Sequence, residues 1–364
     1  MGKSISEMTL EELWQLFPIF LTEHNEKWKD WYAEERDHLA GLLPEGVILN
    51  HIGSTAIKGI WAKPIIDILI EVEDAAVLAE VKNVLLSAGY ICMSEDKNRI
   101  FFNKGYTENG FAERVFHIHV RLVGDNDEIA FRDYLNSHPD TARQYEKLKL
   151  SLWKEYEHNR DGYTNAKTEF VTRVKYLVPT ECINYNDPLI LQKVEQLRAK
   201  SESSLEYIER AYEYVRDEIP HSWDIRSEIV SRSAGDVIRN GTGICWTKSC
   251  LLAALLRANG ISSGISYQLL TRADEDDSEG YIIHALNTVY IEEMNKWIRL
   301  DARGNKENVH AQFSLDEEIP AFPVREELGE IDYGNNDPDL DERLRRILQD
   351  SSGVLEITTD FKMG

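Results

Sequence analysis

Cysteine is scarce in this chain, and no two cysteines form a metal-binding pair. The 364 residues include four cysteines, at positions 92, 182, 245 and 250, with no CxxC pair and no Cys/His cluster. This spacing excludes zinc ribbons and zinc fingers, which need such pairs. Few and unpaired thiols are typical of a reducing, cytoplasmic protein, in which a free thiol can act as a nucleophile.

Long hydrophobic runs and an excess of basic charge are also absent. No stretch approaches the ~20 consecutive apolar residues that span a bilayer. The polar first residues, MGKSISEMTLEEL, lack the apolar run of a signal peptide. The 41 basic residues are outnumbered by 64 acidic ones, and the formal net charge of −23 repels phosphate backbones and anionic lipid. We therefore expect no membrane association and no general nucleic-acid binding.

Length and composition predict two globular domains of mixed α+β structure. Hydrophobic residues make up 42% and charged residues 29%, as in packed domains, and 364 residues exceed one ordinary domain. A polar stretch bounded by two prolines, 179–188, predicts a linker between a first domain over 1–178 and a second over 189–364. The last ~50 residues carry many acids and few periodic apolar positions. They predict an acidic tail that is loosely packed or wraps around the second domain.

The segment GTGICWTKSCLLAALLRANG predicts a reactive thiol at the start of a helix. Gly241 and Gly243 allow a sharp turn into a helix over Cys245–Ala258. Unpaired N–H groups and the positive end of the helix dipole favour a thiolate at Cys245. A lone cysteine before a helix is more often a core residue, as we expect for Cys250, so further residues must decide.

A predicted hairpin supplies these further residues, a histidine and an aspartate. His284 lies in a strand over Tyr281–Ile291, and Asp301 directly follows a second strand over Lys296–Leu300. The short connection EEMN predicts antiparallel pairing, which brings Asp301 near His284. Each residue alone is more often structural. A cysteine at a helix start that faces a His–Asp pair is, however, the arrangement of an activated thiol.

These three blocks read Gly-x-Cys-Trp, then His-Ala with Val-Tyr, then Trp-x-x-Leu-Asp-Ala. In this order they resemble the transglutaminase-like superfamily over residues 200–310. The resemblance implies a papain-like α+β fold, a peptide or protein amide substrate, no cofactor, and catalytic roles for Cys245, His284 and Asp301. One departure is Leu286-Asn287, where many members have Trp-Val.

The chemistry that this resemblance implies starts when His284 takes the proton of Cys245 and the thiolate attacks an amide carbonyl. The Cys245 N–H is then a donor to the oxyanion. The resulting thioester reacts with water, which is hydrolysis, or with an amine, which is transglutamination. The sequence leaves both outcomes open, and we favour hydrolysis because short, cytoplasmic superfamily members resemble proteases.

A second set of motifs lies in the first domain. It reads His-Ile-Gly-Ser-Thr from residue 51, Lys-Pro-Ile-Ile-Asp from residue 63, and Phe-His-Ile-His from residue 116. Together with Tyr163 and Lys167, these motifs resemble the GrpB family over residues 20–178, a branch of the nucleotidyltransferase-like fold. We expect a nucleotide or phosphate to be bound by Gly53, Ser54, Lys63 and Lys167. A Mg²⁺ or Mn²⁺ ion would be held by Asp67, His117 and His119.

Nucleotidyl transfer needs carboxylates that hold two metal ions ~4 Å apart. The residue two positions after Asp67 is Leu69, and Glu71 stands ~13 Å from Asp67 at ~3.3 Å per residue. The alternatives are metal-dependent transfer and a non-catalytic binding module in which Asp67 and both histidines form a polar structural cluster. We favour the binding module. For the whole chain, the rival to a thiol-dependent enzyme is a two-module binding protein with a degenerate site in each half.

Overall fold

The computed structural model describes residues 7–272, 280–359 and 361–363. The chain divides into two compact units. The boundary along the chain lies between Lys175 and Tyr176, just before the predicted end of the first domain at residue 178. Both units combine helices with strands, so the predicted α+β class is confirmed. None of the helices described is long and apolar enough to cross a lipid bilayer.

The first unit contains six helices and five strands among its described residues. The helices are α1 (Leu10–Leu16), α2 (Lys27–Ala40), α3 (Ala75–Ser87), α4 (Asp127–Ser137), α5 (Pro139–Leu152) and α6 (Arg160–Lys175). The strands are β1 (Ile48–Ile52), β2 (Ile65–Val72), β3 (Ile91–Glu95), β4 (Arg99–Thr107) and β5 (Gly110–Leu122). A short 3₁₀ turn, Ser54–Ala56, lies between β1 and β2.

The sheet of the first unit has the order β1-β2-β5-β4-β3, and β2 pairs with β5 in parallel. The nearly continuous apolar run of β2 places it in the interior, with all but one of its residues buried. Asp67 is the one half-buried residue of β2, and it lies directly beside His117 of β5 in the register. The sheet therefore sets Asp67 and His117 side by side on two neighbouring interior strands.

The second unit contains five helices and four strands among its described residues. The helices are α7 (Pro188–Arg198), α8 (Ser204–Glu213), α9 (Ala234–Asn240), α10 (Cys245–Ala258) and α11 (Glu342–Asp350). The strands are β6 (Ser263–Thr271), β7 (Tyr281–Ile291), β8 (Lys296–Leu300) and β9 (Ile331–Asp332). Short helical turns lie at Tyr214–Glu218, Glu292–Met294, Glu326–Leu328 and Val354–Glu356.

Helix α10 is the centre of the second unit. Every residue from Cys245 to Arg257 is buried, and the helix packs against β6, β7 and helices α7, α8 and α9. The sheet has the order β8-β7-β6-β9, and β7 and β8 form the predicted antiparallel hairpin. The bounds of α10, β7 and β8 are those that the sequence pattern predicts.

One prediction about the second domain needs correction, and one is narrowed to a single alternative. The segment 179–188 is packed into the core of the second unit, where Cys182, Ile183 and Tyr185 are buried, so it is not a free linker there. Of the two alternatives for the acidic tail, loose packing is excluded, because α11 buries Leu344 and Leu348 in the same core. In both segments, a few apolar side chains anchor a mainly polar stretch, and composition alone does not reveal them.

Candidate active site

Cys245 occupies the first helical position of α10. Helix α9 ends at Gly241, whose φ of 67° is the left-handed conformation that glycine adopts without strain. Three residues later Ile244 precedes the helix in an extended conformation and offers no side-chain cap. The N–H groups of the first turn are therefore left for other partners, at the end of the helix that favours negative charge.

Hydrogen bonds tie α10 to β7 on both sides of the candidate base His284. The Trp246 indole donates to the Ile283 carbonyl at 2.8 Å, and the Ser249 hydroxyl donates to the Ala285 carbonyl at 3.2 Å. The Asn287 side chain donates to the Ser249 carbonyl at 2.9 Å. Asn287 is one of the two residues that depart from the superfamily pattern, and here it links the strand to the helix. These bonds fix the strand that carries His284 against the helix that carries Cys245.

His284 and Asp301 meet as the predicted hairpin requires. His284 Nε2 lies 2.8 Å from Asp301 Oδ2, and both residues are almost fully buried. The Arg303 N–H donates to Asp301 Oδ1 at 3.0 Å, and the Ala321 N–H donates to Asp301 Oδ2 at 2.8 Å. Three donors thus converge on one carboxylate, which holds the imidazole in a single orientation.

The electrostatics of this group favour a protonated imidazole. Burial acts to lower the pKa of His284, but the charges of Asp301 and Cys245 and hydrogen bonds to both raise it to about 10. Burial acts to raise the pKa of Asp301, and the His284 charge with its hydrogen bonds nevertheless holds it below its usual value. Because Asp301 engages Nε2, His284 faces the Cys245 thiol with Nδ1. The structure therefore brings together the three residues that the sequence singled out.

The sequence did not single out His221, which contacts the same site. The Cys245 N–H, expected to be an oxyanion donor, donates to His221 Nε2 at 3.1 Å. His221 follows Pro220 in a turn between α8 and α9, far from the three motifs along the chain. No periodic pattern surrounds it, so only the fold reveals its position.

Other side chains missed from the sequence surround the His–Asp pair. Phe322 packs its edge against the His284 ring with centroids 5.5 Å apart. Arg303 lies over Phe322 and forms a two-pronged ion pair with Asp224. Lys248, one turn after Cys245, is buried, and burial followed by the Arg303 charge lowers its pKa to about 7. Two buried cationic side chains, Arg303 and Lys248, thus lie close to the site.

In the first unit, the predicted polar residues also come together. Asp67 Oδ1 lies 3.2 Å from His117 Nδ1 and 3.4 Å from His119 Nε2. Burial acts to raise the pKa of Asp67, but the hydrogen bonds from His117 and His119 hold it far below the usual range. Burial lowers the pKa of His117 to about 4, so this imidazole is neutral near pH 7.

The arrangement does not fit the expected Mg²⁺ or Mn²⁺ ion. Arg160 can only donate, and it lies 3.2 Å from His117 Nε2, so this nitrogen accepts and the proton sits on Nδ1 facing Asp67. A metal ion would need that Nδ1 without its proton. No group of three or more His, Cys, Asp or Glu side chains in the described parts of the chain is arranged to hold a metal ion. The three residues form a hydrogen-bonded cluster instead.

Two lysines expected to bind phosphate lie beside this cluster. Lys63 and Lys167 place their ammonium groups 4.7 Å and 4.2 Å from the centre of the Tyr163 ring. Burial and then the Arg160 and Lys167 charges lower the pKa of Lys63 to about 7. Burial, opposed by the Asp67 charge, lowers the pKa of Lys167 to about 8. Both lysines therefore have Asp67 as a nearby anion.

Gly53 provides the close approach of backbone to Asp67. Its φ is 71°, and a Cβ built there would lie 2.2 Å from Asp67 Oδ2. We expect Gly53→Ala to lower the free energy of unfolding by about 2–4 kcal/mol, through backbone strain and displacement of the hydrogen-bonded Asp67 carboxylate. Urea denaturation measures this change.

Gly59 is the matched control for Gly53. It has nearly the same φ, 70°, with nothing within 4 Å of a built Cβ. Gly59→Ala should therefore show the backbone strain alone, about 1 kcal/mol. Equal losses for the two variants would contradict a structural role for the contact between Gly53 and Asp67.

The fold and the site together define a two-domain protein whose second domain is transglutaminase-like. The model of the transglutaminase-like superfamily matches residues 192–302, which include Cys245, His284 and Asp301. The chain belongs to the GrpB family, because its first unit matches that family's model over residues 18–176 and has a closely similar relative.

That relative is the glutamate-rich protein GrpB of Alkalihalophilus pseudofirmus, which is 38% identical over 163 residues, 43% of this chain and 93% of the relative. The solved GrpB structure from Enterococcus faecalis is 26% identical, with a TM-score of 0.36, over 43% of this chain and 99% of that one. A proposed cysteine protease from Cytophaga hutchinsonii is 20% identical, with a TM-score of 0.30, over 36% of this chain and 42% of that one.

Proposed function

We propose that the transglutaminase-like domain is a thiol-dependent amide hydrolase that acts on a peptide or protein, with acyl transfer to an amine as the alternative outcome. The proposal is supported by one observation above all: Asp301 orients His284, and His284 interacts with Cys245 at the start of α10. We also propose that the protein works in a reducing cytoplasm, since the four cysteines are free.

In the proposed reaction, His284 Nδ1 holds the proton of Cys245, and the thiolate Sγ attacks the amide carbonyl carbon. The carbonyl π electrons move to oxygen and then return, which breaks the C–N bond as His284 protonates the leaving amine. The thioester is resolved when water adds and a carboxylic acid leaves, which restores the Cys245 thiol. An amine in place of water gives a new amide. Asp301 stabilises the imidazolium throughout.

A fluorogenic peptide-amide library tests this proposal. We expect the wild type and the control Cys92→Ser to release fluorophore, and Cys245→Ser to be at least ~100-fold slower, because the hydroxyl is a far weaker nucleophile here. A biotinylated amine added to the reaction separates the outcomes, since mass spectrometry distinguishes the free acid from the biotinylated amide. Equal turnover by Cys245→Ser would rule out the proposed nucleophile.

For the GrpB domain, we propose binding of a phosphate-bearing ligand, such as a nucleotide, without metal-dependent transfer. Support comes from Lys63 and Lys167, whose ammonium groups are largely buried and contact the Tyr163 ring, with no hydrogen bond to a carboxylate in the described part of the chain. Two desolvated cations beside a single carboxylate favour a further anion. Nucleotidyl transfer would require a metal site that the Asp67 cluster does not fit.

Calorimetry with inorganic triphosphate and ATP, with and without Mg²⁺, tests the anion site. Because the pKa of Lys63 is about 7, an added anion should raise it and cause proton uptake near pH 7–8, visible as a buffer-dependent heat. Lys63→Met and Lys167→Met should weaken binding at least ~10-fold. Lys147→Met, an exposed lysine of α5, should not. Absence of binding by the wild type would refute the proposal.

A further inference from the structure

His221 occupies the place where a substrate oxygen would be held. When Cys245 Sγ attacks a carbonyl, the oxygen that becomes negative lies beside the N–H of the attacking residue. That N–H already donates to His221 Nε2 at 3.1 Å. His221 Nε2 therefore lies next to the position that the negative substrate oxygen would occupy.

The His221 imidazole is neutral in this place. Burial, followed by the Arg303 charge, holds its pKa well below the ordinary value; Lys248 and His284 act in the same direction, and Asp224 opposes them. Because Nε2 accepts the Cys245 N–H, the one proton of the neutral ring is on Nδ1. The ring is thus an uncharged group with a proton that can reside on either nitrogen.

The second nitrogen of His221 is not held by any group in the described residues. Nδ1 is buried and has no hydrogen-bond partner there. A histidine with a purely structural role usually has both nitrogens engaged, which fixes its tautomer. Here no bond at Nδ1 opposes moving the proton to Nε2, so the ring can change from acceptor to donor at the atom that faces Cys245.

The backbone of His221 is held firmly beside the start of α10. The Ser222 N–H donates to the Gly243 carbonyl at 3.0 Å, and the Thr242 hydroxyl donates to the Pro220 carbonyl at 2.9 Å. On its other side, Asp224 is paired with Arg303, two residues after Asp301. The turn that carries His221 is therefore fastened to both halves of the candidate active site.

We propose that His221 is the second oxyanion donor of the Cys245 site: it accepts the Cys245 N–H at rest, and in its other tautomer it donates from Nε2 to the substrate oxygen. This inference rests on the proposed acyl transfer at Cys245. When the carbonyl oxygen enters, a water molecule gives a proton to Nε2, and the hydroxide so formed takes the proton of Nδ1, so the ring stays neutral and the water is restored. The Cys245 N–H and His221 Nε2–H then share the negative oxygen until the leaving group departs.

Two reagents separate this role from that of a helix cap. p-Nitrophenyl acetate acylates a thiolate through a tetrahedral oxyanion, as Sγ bonds to the carbonyl carbon and p-nitrophenolate leaves. Iodoacetamide reacts at a saturated carbon, where Sγ displaces iodide and no oxyanion forms. The ratio of the two rate constants at Cys245 therefore reports oxyanion stabilisation and cancels changes in the thiolate.

We expect His221→Leu to lower this ratio ~100-fold or more, as loss of one oxyanion donor costs about 10²–10³-fold. His221→Gln, which keeps an uncharged donor and acceptor, should restore it to within a few-fold of the wild type. If His221→Leu does not fold, His221→Met, with a more flexible apolar side chain, replaces it. An unchanged ratio would overturn the proposal. If both rate constants fall equally, the ratio is also unchanged, and His221 then only caps the start of α10. Failure of the wild type to react with either reagent would instead count against the proposed function.

Discussion

Iodoacetamide should alkylate Cys245 about 10-fold faster than Cys92 at pH 7, although Cys245 is 8% exposed and Cys92 is only half-buried. An ordinary thiol with a pKa of ~8.5 is ~3% thiolate at this pH, so a complete thiolate has a ~30-fold advantage. Lower nucleophilicity of a stabilised sulfur removes part of this gain. Exposure alone predicts the opposite order, so the comparison tests the chemistry of the site.

The predicted reactivity depends on positive charge near Cys245, from the first turn of α10 and from His284. Since the pKa of His284 is raised to about 10, its ring is an imidazolium through neutral pH and pairs with the sulfur. His284→Ala removes the base and the cation together and should slow alkylation ~10-fold or more. Mass spectrometry of labelled peptides between pH 5 and 9 measures each cysteine separately.

His310→Ala is the matched control, because His310 is an exposed histidine of the same unit. It should leave the labelling of Cys245 unchanged. A Cys245 that reacts no faster than Cys92, with no effect of His284→Ala, would mean that this domain keeps the fold of its superfamily without an activated thiol. That result would favour the two-module binding protein.

The parts of the site that the sequence predicts are those specified by local patterns. Glycines precede α10, and alternating apolar residues mark β7 and β8, so the positions of Cys245, His284 and Asp301 follow from short segments. The pairing of Asp67 with His117 and His119 follows in the same way, because residues two apart on a strand share a face.

The parts that the sequence misses depend on contacts between distant segments. His221 reaches Cys245, and Arg160 reaches His117, across more than 20 residues of chain without a periodic pattern around either. The C-terminal tail is a different case, because a local pattern was present there. Leu344 and Leu348 lie four residues apart on α11, the spacing of a helix with one buried face. The acidic composition of the segment outweighed this pattern in the prediction.

Asp301→Asn should have a large effect through its influence on His284. The carboxylate accepts from three groups: His284 Nε2, the Arg303 N–H and the Ala321 N–H. An amide NH₂ in place of Oδ2 would face His284 Nε2–H and the Ala321 N–H, which are both donors. Because an NH₂ group cannot accept the Nε2 proton, the neutral imidazole would carry its proton on Nδ1 instead. Nδ1 could then no longer take the Cys245 proton. We expect amide turnover to fall on the order of 10³-fold or more, the size of effect that a wrong histidine tautomer has.

The pH dependence of stability gives an independent test of the same pair. A histidine whose pKa is raised from 6.5 to about 10 on folding stabilises the protein fully below pH 6.5, and this contribution is lost as pH rises towards 10. Asp301→Asn removes the negative charge that supports the imidazolium, so the decline in unfolding free energy over this range should become shallower. Asp316→Asn, an exposed aspartate of the same unit, should keep the wild-type slope.

The two Asp301 variants separate orientation from burial. Asp301→Ala leaves two backbone donors and the imidazole without an acceptor in a buried site, so it should lose about 3–5 kcal/mol of stability. Its imidazole can still keep a proton on Nε2, and alkylation of Cys245 should therefore slow less than in His284→Ala. Asp301→Asn should lose less stability, about 1–3 kcal/mol, because it still accepts one of the donors. If Asp301→Asn keeps wild-type turnover and a wild-type pH slope, Asp301 is a structural strand-end residue, and Cys245 and His284 act without an orienting carboxylate.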